Sequence, residues 1–488
     1  MSNTEFNWKF VLKVVGLILM LESIFMFCSA GVSKYFEDPD FSALVISGGI
    51  TFLFGFILTL PAGYRKKLRI IGKKESYLSV ACSWITFALF GALPFIISGK
   101  VSGFTDAFFE SMSGITTTGA SILTNIDTFP HGLLFWRSLL QWLGGMGIIV
   151  FSLALLPLLG GEASQLFDAE STGLTHDKFR PRVTQMAKRL WGIYITLTIL
   201  STLLFWAGPM NLYDAICHGF STISTGGFST KQASIAYWNS SYLETIVIIF
   251  MIIGAINFPL LYFLIKSQFK KFIKDEELRW FIMTIIIVFI VVSFGLIIGR
   301  NFDPIIAFRN SIFQVVSIIT TTGYSTTDFT VWGSFYLIVF TFLMIFCGCA
   351  GSTSGGLKTV RGVVLAKNTI SEFERLVHPR AIIPVRLNGV AVSFGVVQRL
   401  LAFVFLYIGI IFISWGVLTL AGIPFVDAFG ASVSAIGNVG PGFGNLGPSG
   451  SFAEISAFAK WYLAFLMLIG RLEIFTILIL FSPGFWKK

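Results

Sequence analysis

Long runs without charge decide what this chain can become. Val14–Ala30, Ile46–Leu60, Leu190–Trp206, Ile246–Ile265 and Trp280–Ile298 carry almost no charged side chains. They are long enough to cross, or mostly cross, about 30 Å of hydrocarbon. A bilayer offers no water to backbone N–H and C=O groups, so a spanning chain forms helices or a closed barrel. Runs of this length predict helices. Only 12% of the residues are charged, about half the share of a soluble domain, and the mean hydropathy is +0.81. Both values argue against a soluble protein with buried helices. The first run contains Glu22, lacks a small-residue cleavage site and is followed by equally apolar segments, so it reads as a retained helix rather than a signal peptide.

The net charge of +10 does not point to nucleic acid, because the basic residues sit between particular apolar runs. Arg65, Lys66, Lys67, Arg69, Lys73 and Lys74 share one connection; Lys266, Lys270, Lys271 and Lys274 share another. Such bias marks cytoplasmic loops. The opposite connections hold 7 basic and 12 acidic residues. Both termini are therefore expected in the cytoplasm, beneath a mildly acidic outer face that concentrates cations. The five cysteines (28, 82, 217, 347 and 349) fall mostly in apolar surroundings, as buried thiols do, and the four histidines show no metal-ligand spacing.

Four segments repeat one layout: an acidic or amide residue, a short apolar helix, a Ser/Thr-rich stretch, then glycine. They run from Asp106 to Gly119, Asp214 to Gly227, Asn310 to Gly323 and Asp427 to Gly440, and the interval is 13 in every copy. That register selects Gly227 rather than Gly226 as the equivalent glycine. The copies are 108, 96 and 117 residues apart, room for two spans and a cytoplasmic loop each time. Each segment is too short and polar to cross, and is expected to be re-entrant. Asp106, Asp214, Asn310 and Asp427 are expected to cap the short helices. The predicted fold is an all-α integral membrane protein of ten transmembrane helices. Residues 1–75 hold two leading helices and a basic loop. Span–half-helix–loop–span repeats follow at 76–160, 186–270, 276–365 and 396–488, packed around a pseudo-fourfold pore that buries their polar loops.

A dehydrated cation needs several oxygens at fixed distance, and a ring of extended loops supplies backbone carbonyls. Thr117–Thr118–Gly119, Thr225–Gly226–Gly227, Thr321–Thr322–Gly323 and Asn438–Val439–Gly440 fit that role, glycine permitting the curvature. Hydroxyls of Thr116, Thr222 and Thr320 are expected to brace the loops or serve their inner end. The C-termini of the half-helices add partial negative charge. Between Phe346 and Arg361, Gly348, Gly351, Ser352, Thr353, Ser354, Gly355 and Gly356 make poor helix where a long helix is due. They read either as a small-residue helix interface or as a mobile loop obstructing the pore. Arg471 lies inside the last apolar run, where an ionisable group is costly and a functional candidate. It is expected to face the pore or that loop; the alternative is a snorkelling or salt-bridged arginine. Lys358 reads as a cytoplasmic-end residue, and Glu22 has no assigned partner.

These four motifs, the two leading helices and the segment Cys347–Lys358 resemble the Trk/Ktr/HKT superfamily of potassium transporters, and within it the TrkH/TrkG-type membrane subunits. The resemblance covers essentially the whole chain; the two leading helices favour Trk over Ktr. It implies potassium as the transported ion, selected by the four filter glycines, with no organic cofactor in this chain. Some plant relatives with serine in the first copy favour sodium. It further implies an intramembrane gate loop in the third repeat, an arginine opposite it, a homodimer and a cytosolic, nucleotide-binding TrkA-type ring. The setting it implies is a bacterial inner membrane. The fourth loop departs most from Thr-Thr-Thr-Gly. A secondary transporter built on inverted repeats would show halves of opposite topology, whereas these repeats run in one direction. A membrane enzyme would need a catalytic constellation in the spans, and none recurs there.

Overall fold

The computed structural model describes residues 6–60, 73–147 and 183–486. Helices α1 (Trp8–Tyr35) and α2 (Phe41–Thr59) lead. They cross at Gly16 and Gly55, where a Cβ on either would lie 2.6–2.7 Å from the other's carbonyl oxygen. Small residues let helices approach closely in lipid, where hydrophobic burial gives no advantage. Glu22 on α1 is fully buried, and neither carboxyl oxygen has a hydrogen-bond partner among the described residues.

Four helical units follow. The first is α3 (Lys73–Gly91), its short continuation α4 (Leu93–Ile97), half-helix α5 (Phe104–Ile115) and α6 (His131–Gly145). The second is α7 (Val183–Trp206), half-helix α8 (Leu212–Ile223), α9 (Ser241–Ala255) and α10 (Phe258–Ile265). The six-residue α11 (Phe269–Lys274) leads to the third: α12 (Glu276–Arg300), α13 (Pro304–Ile319), α14 (Ser334–Ile345), strands β1 (Phe346–Cys347) and β2 (Leu357–Lys358), and α15 (Thr359–Val377). A hairpin of β3 (Arg386–Leu387) and β4 (Val390–Ala391) precedes the fourth: α16 (Phe394–Leu420), α17 (Phe425–Gly437), α18 (Ala457–Arg471), α19 (Phe475–Leu478) and α20 (Pro483–Trp486).

The chain is thus a helical membrane protein, as its sequence predicts. Among the described residues six helices are long and apolar enough to cross a bilayer, or eight if each bent pair is one span. The bends are sharp: α9 meets α10 at 108°, and Ala457–Arg471 meets Phe475–Phe481 at 108°. The closing span of the repeat expected at 76–160 begins as α6, and residues 148–160 lie outside the described residues, as do Arg65, Lys66, Lys67 and Arg69. All five cysteines are free; Cys217, Cys347 and Cys349 are buried, whereas Cys28 is exposed.

The expected half-helix caps are corrected. The N-caps are Gly103, Asn211, Asp303 and Pro424. Asp106, Asp214 and Asp427 instead lie in the first turn, where the positive end of the helix dipole still favours a carboxylate. Each fastens a returning segment: Asp106 accepts from Lys460 Nζ at 2.6 Å, Asp214 from Thr230 Oγ1 at 2.6 Å, and Asp427 from the Asn445 amide at 3.2 Å. Asn310 is in mid-helix, because α13 starts earlier, at the Asp303–Pro304 pair. Asp303 accepts from the Ile305 and Ile306 amides, and proline suits the first helical position.

Behind the first two half-helices lies a buried ion pair. Arg137 Nε donates to Glu110 Oε1 at 2.5 Å, and Nη1 to the Ser229 carbonyl at 3.0 Å. Glu110 Oε2 accepts from the Ile122 amide at 2.9 Å. The pair ties the first unit to the second. Removing one partner strands a buried charge, so Arg137→Met or Glu110→Gln alone should cost about 3–5 kcal/mol, and the double variant less than either. Thermal unfolding in detergent, followed by tryptophan fluorescence, checks this. A loss in the double variant equal to the sum of the two single losses would refute the coupling.

Candidate functional site

The four half-helices end in the same way. The Thr118, Gly226, Thr322 and Val439 amides donate to the carbonyls of Ser113, Ser221, Ser317 and Ser434, five residues back, at 2.8–3.0 Å. The preceding amides, of Thr117, Thr225, Thr321 and Asn438, donate three residues back, to Gly114, Thr222, Ile318 and Ala435. This is the Schellman termination, and it requires a left-handed residue at its turn. Here that residue is Thr117 (φ 54), Thr225 (φ 53), Thr321 (φ 58) or Asn438 (φ 53). A β-branched residue is strained there, whereas asparagine visits the region readily. The divergent fourth copy is therefore the conformationally easiest one.

The recurring glycines follow two residues later, with φ of 86, 79, 77 and 107 at Gly119, Gly227, Gly323 and Gly440. A Cβ on Gly119 would strike the Gly226 carbonyl oxygen, one on Gly227 that of Thr322, one on Gly323 that of Val439, and one on Gly440 that of Thr118. All four approaches are 2.6 Å or closer. Each glycine packs on the carbonyl that precedes the next unit's glycine, and the fourth returns to the first. The four loops form one closed ring in chain order. A cavity of about 90 Å³ is bounded by all four glycines.

Side chains brace the ring from behind. Gln141 on α6 donates to the Gly226 carbonyl at 2.6 Å and accepts from the Phe228 amide at 3.0 Å. Asn438 Nδ2 donates to Thr118 Oγ1 at 3.0 Å and the Met467 carbonyl at 2.9 Å, joining the fourth loop to the first. Thr116 and Thr320 brace as expected, each 2.8 Å from the hydroxyl two residues on. Thr222 does not belong with them: it lies one position before Ile223, the last residue of α8, and its hydroxyl faces that of Tyr324 at 3.4 Å. Ser224 holds the equivalent place. Gln141 is legible in no motif, since it reaches Gly226 only through the fold.

The Gly-rich interruption lies against the ends of the half-helices. Parallel pairing of Phe346 with Leu357 and Cys347 with Lys358 closes its neck. Gly351 (φ 72) and Gly356 (φ 63) make its turns. Thr353 Oγ1 donates to the Ile223 or Gly254 carbonyl, both at 3.0 Å. The Gly355 amide donates to Thr321 Oγ1 at 2.9 Å, and a Cβ on Gly355 would strike the Gly437 carbonyl. Ser352 and Ser354 share a hydroxyl contact at 3.0 Å, and Gly348 accepts from the Thr359 amide at 3.1 Å. Arg471, at the end of α18, donates to the Thr353 carbonyl at 2.7 Å and to those of Gly144 and Gly145. It faces the loop, as the sequence reading anticipates. Lys358 differs from expectation. It is buried, and its ammonium returns to the Ser354 carbonyl because the strand pairing folds it beneath the loop.

One residue holding this loop carries no sequence signal. Glu277, near the start of α12, accepts from the Ala350 amide at 2.6 Å and the Val360 amide at 3.1 Å through the same oxygen. It clasps both ends of the interruption. Losing such bonds costs about 1–2 kcal/mol, a factor of roughly 5–30 in loop opening. Thiol labelling of the buried Cys347 and Cys349 should rise by that factor in Glu277→Ala and less in Glu277→Gln, read by peptide mass spectrometry. Unchanged labelling in folded Glu277→Ala would refute the clasp.

Carbonyls gathered in a ring at four helix C-termini can hold a cation without any side-chain ligand. The described residues contain no cluster of three or more His, Cys, Asp or Glu side chains suited to a metal. Residues 44–488 match the TrkH family model, described as a cation transport protein. The chain is 38% identical to the Trk system potassium uptake protein TrkH of Halomonas elongata, over 98% of this chain and 99% of that protein. It is 37% identical to TrkH of Escherichia coli K12, over 99% of this chain and all of that one. The crystal structure of the potassium transporter TrkH from Vibrio parahaemolyticus superposes with a TM-score of 0.88 at 36% identity, covering 99% of this chain and 100% of that one. The chain belongs to the TrkH family of cation transport proteins.

Proposed function

We propose that this chain is a channel-like potassium-uptake subunit whose filter is the closed ring of four loops. The observation that carries the reading is the cyclic packing of each filter glycine on the carbonyl before the next. The carbonyls of residues 117–119, 225–227, 321–323 and 438–440 replace the hydration shell of a potassium ion, and the half-helix C-termini favour positive charge there. The relatives at 37–38% identity are potassium uptake proteins by name, which supports potassium over sodium as cargo. In this reading the chain carries four repeats, at 76–160, 186–270, 276–365 and 396–488, running in parallel rather than as inverted halves.

The loop of Gly348–Gly356 acts as the gate, and Arg471 is its latch. Its guanidinium bonds the loop's Thr353 carbonyl and places a positive charge where it opposes a passing cation. The word "system" in the relatives' names supports further components. Here these are a second copy of this chain and a cytosolic nucleotide-binding ring on the basic face, with both termini cytoplasmic in a bacterial inner membrane.

Purified protein in liposomes should pass potassium or rubidium in preference to sodium. Gly119→Ser should cut that preference on the order of tenfold, which corresponds to about 1.4 kcal/mol. Gly31→Ala, where an added Cβ meets nothing within 4 Å, should leave it intact. Equal potassium and sodium flux in the unmodified protein would overturn the selectivity reading. Arg471→Ala should raise basal flux in the absence of any partner; unchanged or lower flux in a folded variant would overturn the latch.

A further inference from the structure

Away from the ring, on the face the sequence marks as basic, α11 and the start of α12 meet the β3–β4 hairpin around a cavity of about 730 Å³. Lys270, Lys271, Lys274 and Arg279 line it. Two acids, Asp275 and Glu276, also line it, and both are held by hydrogen bonds. Glu276 Oε2 accepts from Lys367 Nζ at 2.6 Å and the Asn388 amide at 3.1 Å. Asp275 accepts from the Leu278 amide and from Asn388 Nδ2, both at 2.9 Å. No carboxylate among the described residues lies within 4.0 Å of the four cations. Lys271 instead rests 5.2 Å from the Phe263 ring centroid, and Arg279 Nε donates to the Ile273 carbonyl at 2.8 Å. With four cations against two carboxylates, the cavity is net positive.

The cavity is also amphipathic. Leu260 and Phe263 form one wall, and on α11 the side chains of Phe269 and Ile273, one turn apart, are 54% and 62% exposed. A short helix with apolar residues on one side and lysines on the other lies in the membrane interface, its apolar side toward the acyl chains. We propose that this cavity binds an anionic phospholipid, its headgroup phosphate among Lys270, Lys271, Lys274 and Arg279 and its chains beside Phe269 and Ile273. Basic pockets between membrane helices suit such headgroups, and the volume is ample for one. The exposed apolar flank selects a lipid over a soluble anion. The bound lipid would also fix the first turn of α12, next to Glu277.

Native mass spectrometry of the full chain, released from vesicles of phosphatidylglycerol and phosphatidylcholine, tests the site. Phosphatidylglycerol should be retained in preference, and Lys270→Gln/Lys271→Gln/Lys274→Gln should weaken retention on the order of a hundredfold, at about one kcal/mol per lysine. A Lys9→Gln/Lys13→Gln control should not. Retention unaffected by the triple change would overturn the proposal. So would displacement of the lipid by inorganic phosphate at equal concentration, which would make this a soluble-anion site. A photoactivatable phosphatidylglycerol on the unmodified protein removes any dependence on variant folding. Crosslinks should map to residues 260–279, and crosslinks confined to other segments would refute the assignment.

Discussion

The centre of this molecule depends on four places that have no room for a methyl group. At each, a glycine with positive φ lies on the carbonyl of the neighbouring unit, and the contacts run once around and close. The closure is the constraint. An open row of four loops could relax at its ends, but a ring has none, so a bulge in one loop must be absorbed by the other three. Three threonines are held in left-handed geometry alongside, each at a cost of roughly 1–2 kcal/mol. Such strain persists where surrounding bonds over-determine it, and here the repeated Schellman bonds and the brace from Gln141 do so.

Much of this was legible in the chain, because the ring is built from a repeated local motif. The constant interval to glycine located all four loops and chose Gly227 over Gly226. The reason for the glycine was not legible. Curvature of the strand suggested it, whereas the turn itself is made two residues earlier by Thr117 and its counterparts, and the glycine serves the contact between units. The capping residues were misread because an acid in the first turn resembles an N-cap in sequence. In the third copy the Asp303–Pro304 pair was the better signal. Thr222 was misassigned by composition where the register pointed to Ser224. Gln141 and Glu277 could not have been found this way, since their partners are 85 and 73 residues distant.

The bends in the spans also escaped the apolar periodicity, which runs through them without pause. Asn257 and Pro259 mark the first, and Arg471–Glu473 the second, where Glu473 has φ 52. A broken helix in a membrane leaves backbone groups that something must satisfy. Here the interrupting loop does it. The Cys349 amide meets the Ala255 carbonyl, the Gly351 carbonyl receives the Phe258 amide, and Arg471 donates to the buried carbonyls of Gly144 and Gly145. The loop completes the second unit's broken span, and the arginine reaches the first from the fourth.

The parallel pairing of Phe346–Cys347 with Leu357–Lys358 has a mechanical corollary. With its two ends pinned side by side, the loop is a flap on a short hinge, and α14 and α15 need not move for it to swing. In the proposed reading the work of opening is then confined to contacts at the flap's tip, on the microsecond-to-millisecond scale of such excursions. Permeation would be switched by a part weighing little more than a dozen residues, while the oxygens that discriminate between ions stay where they are.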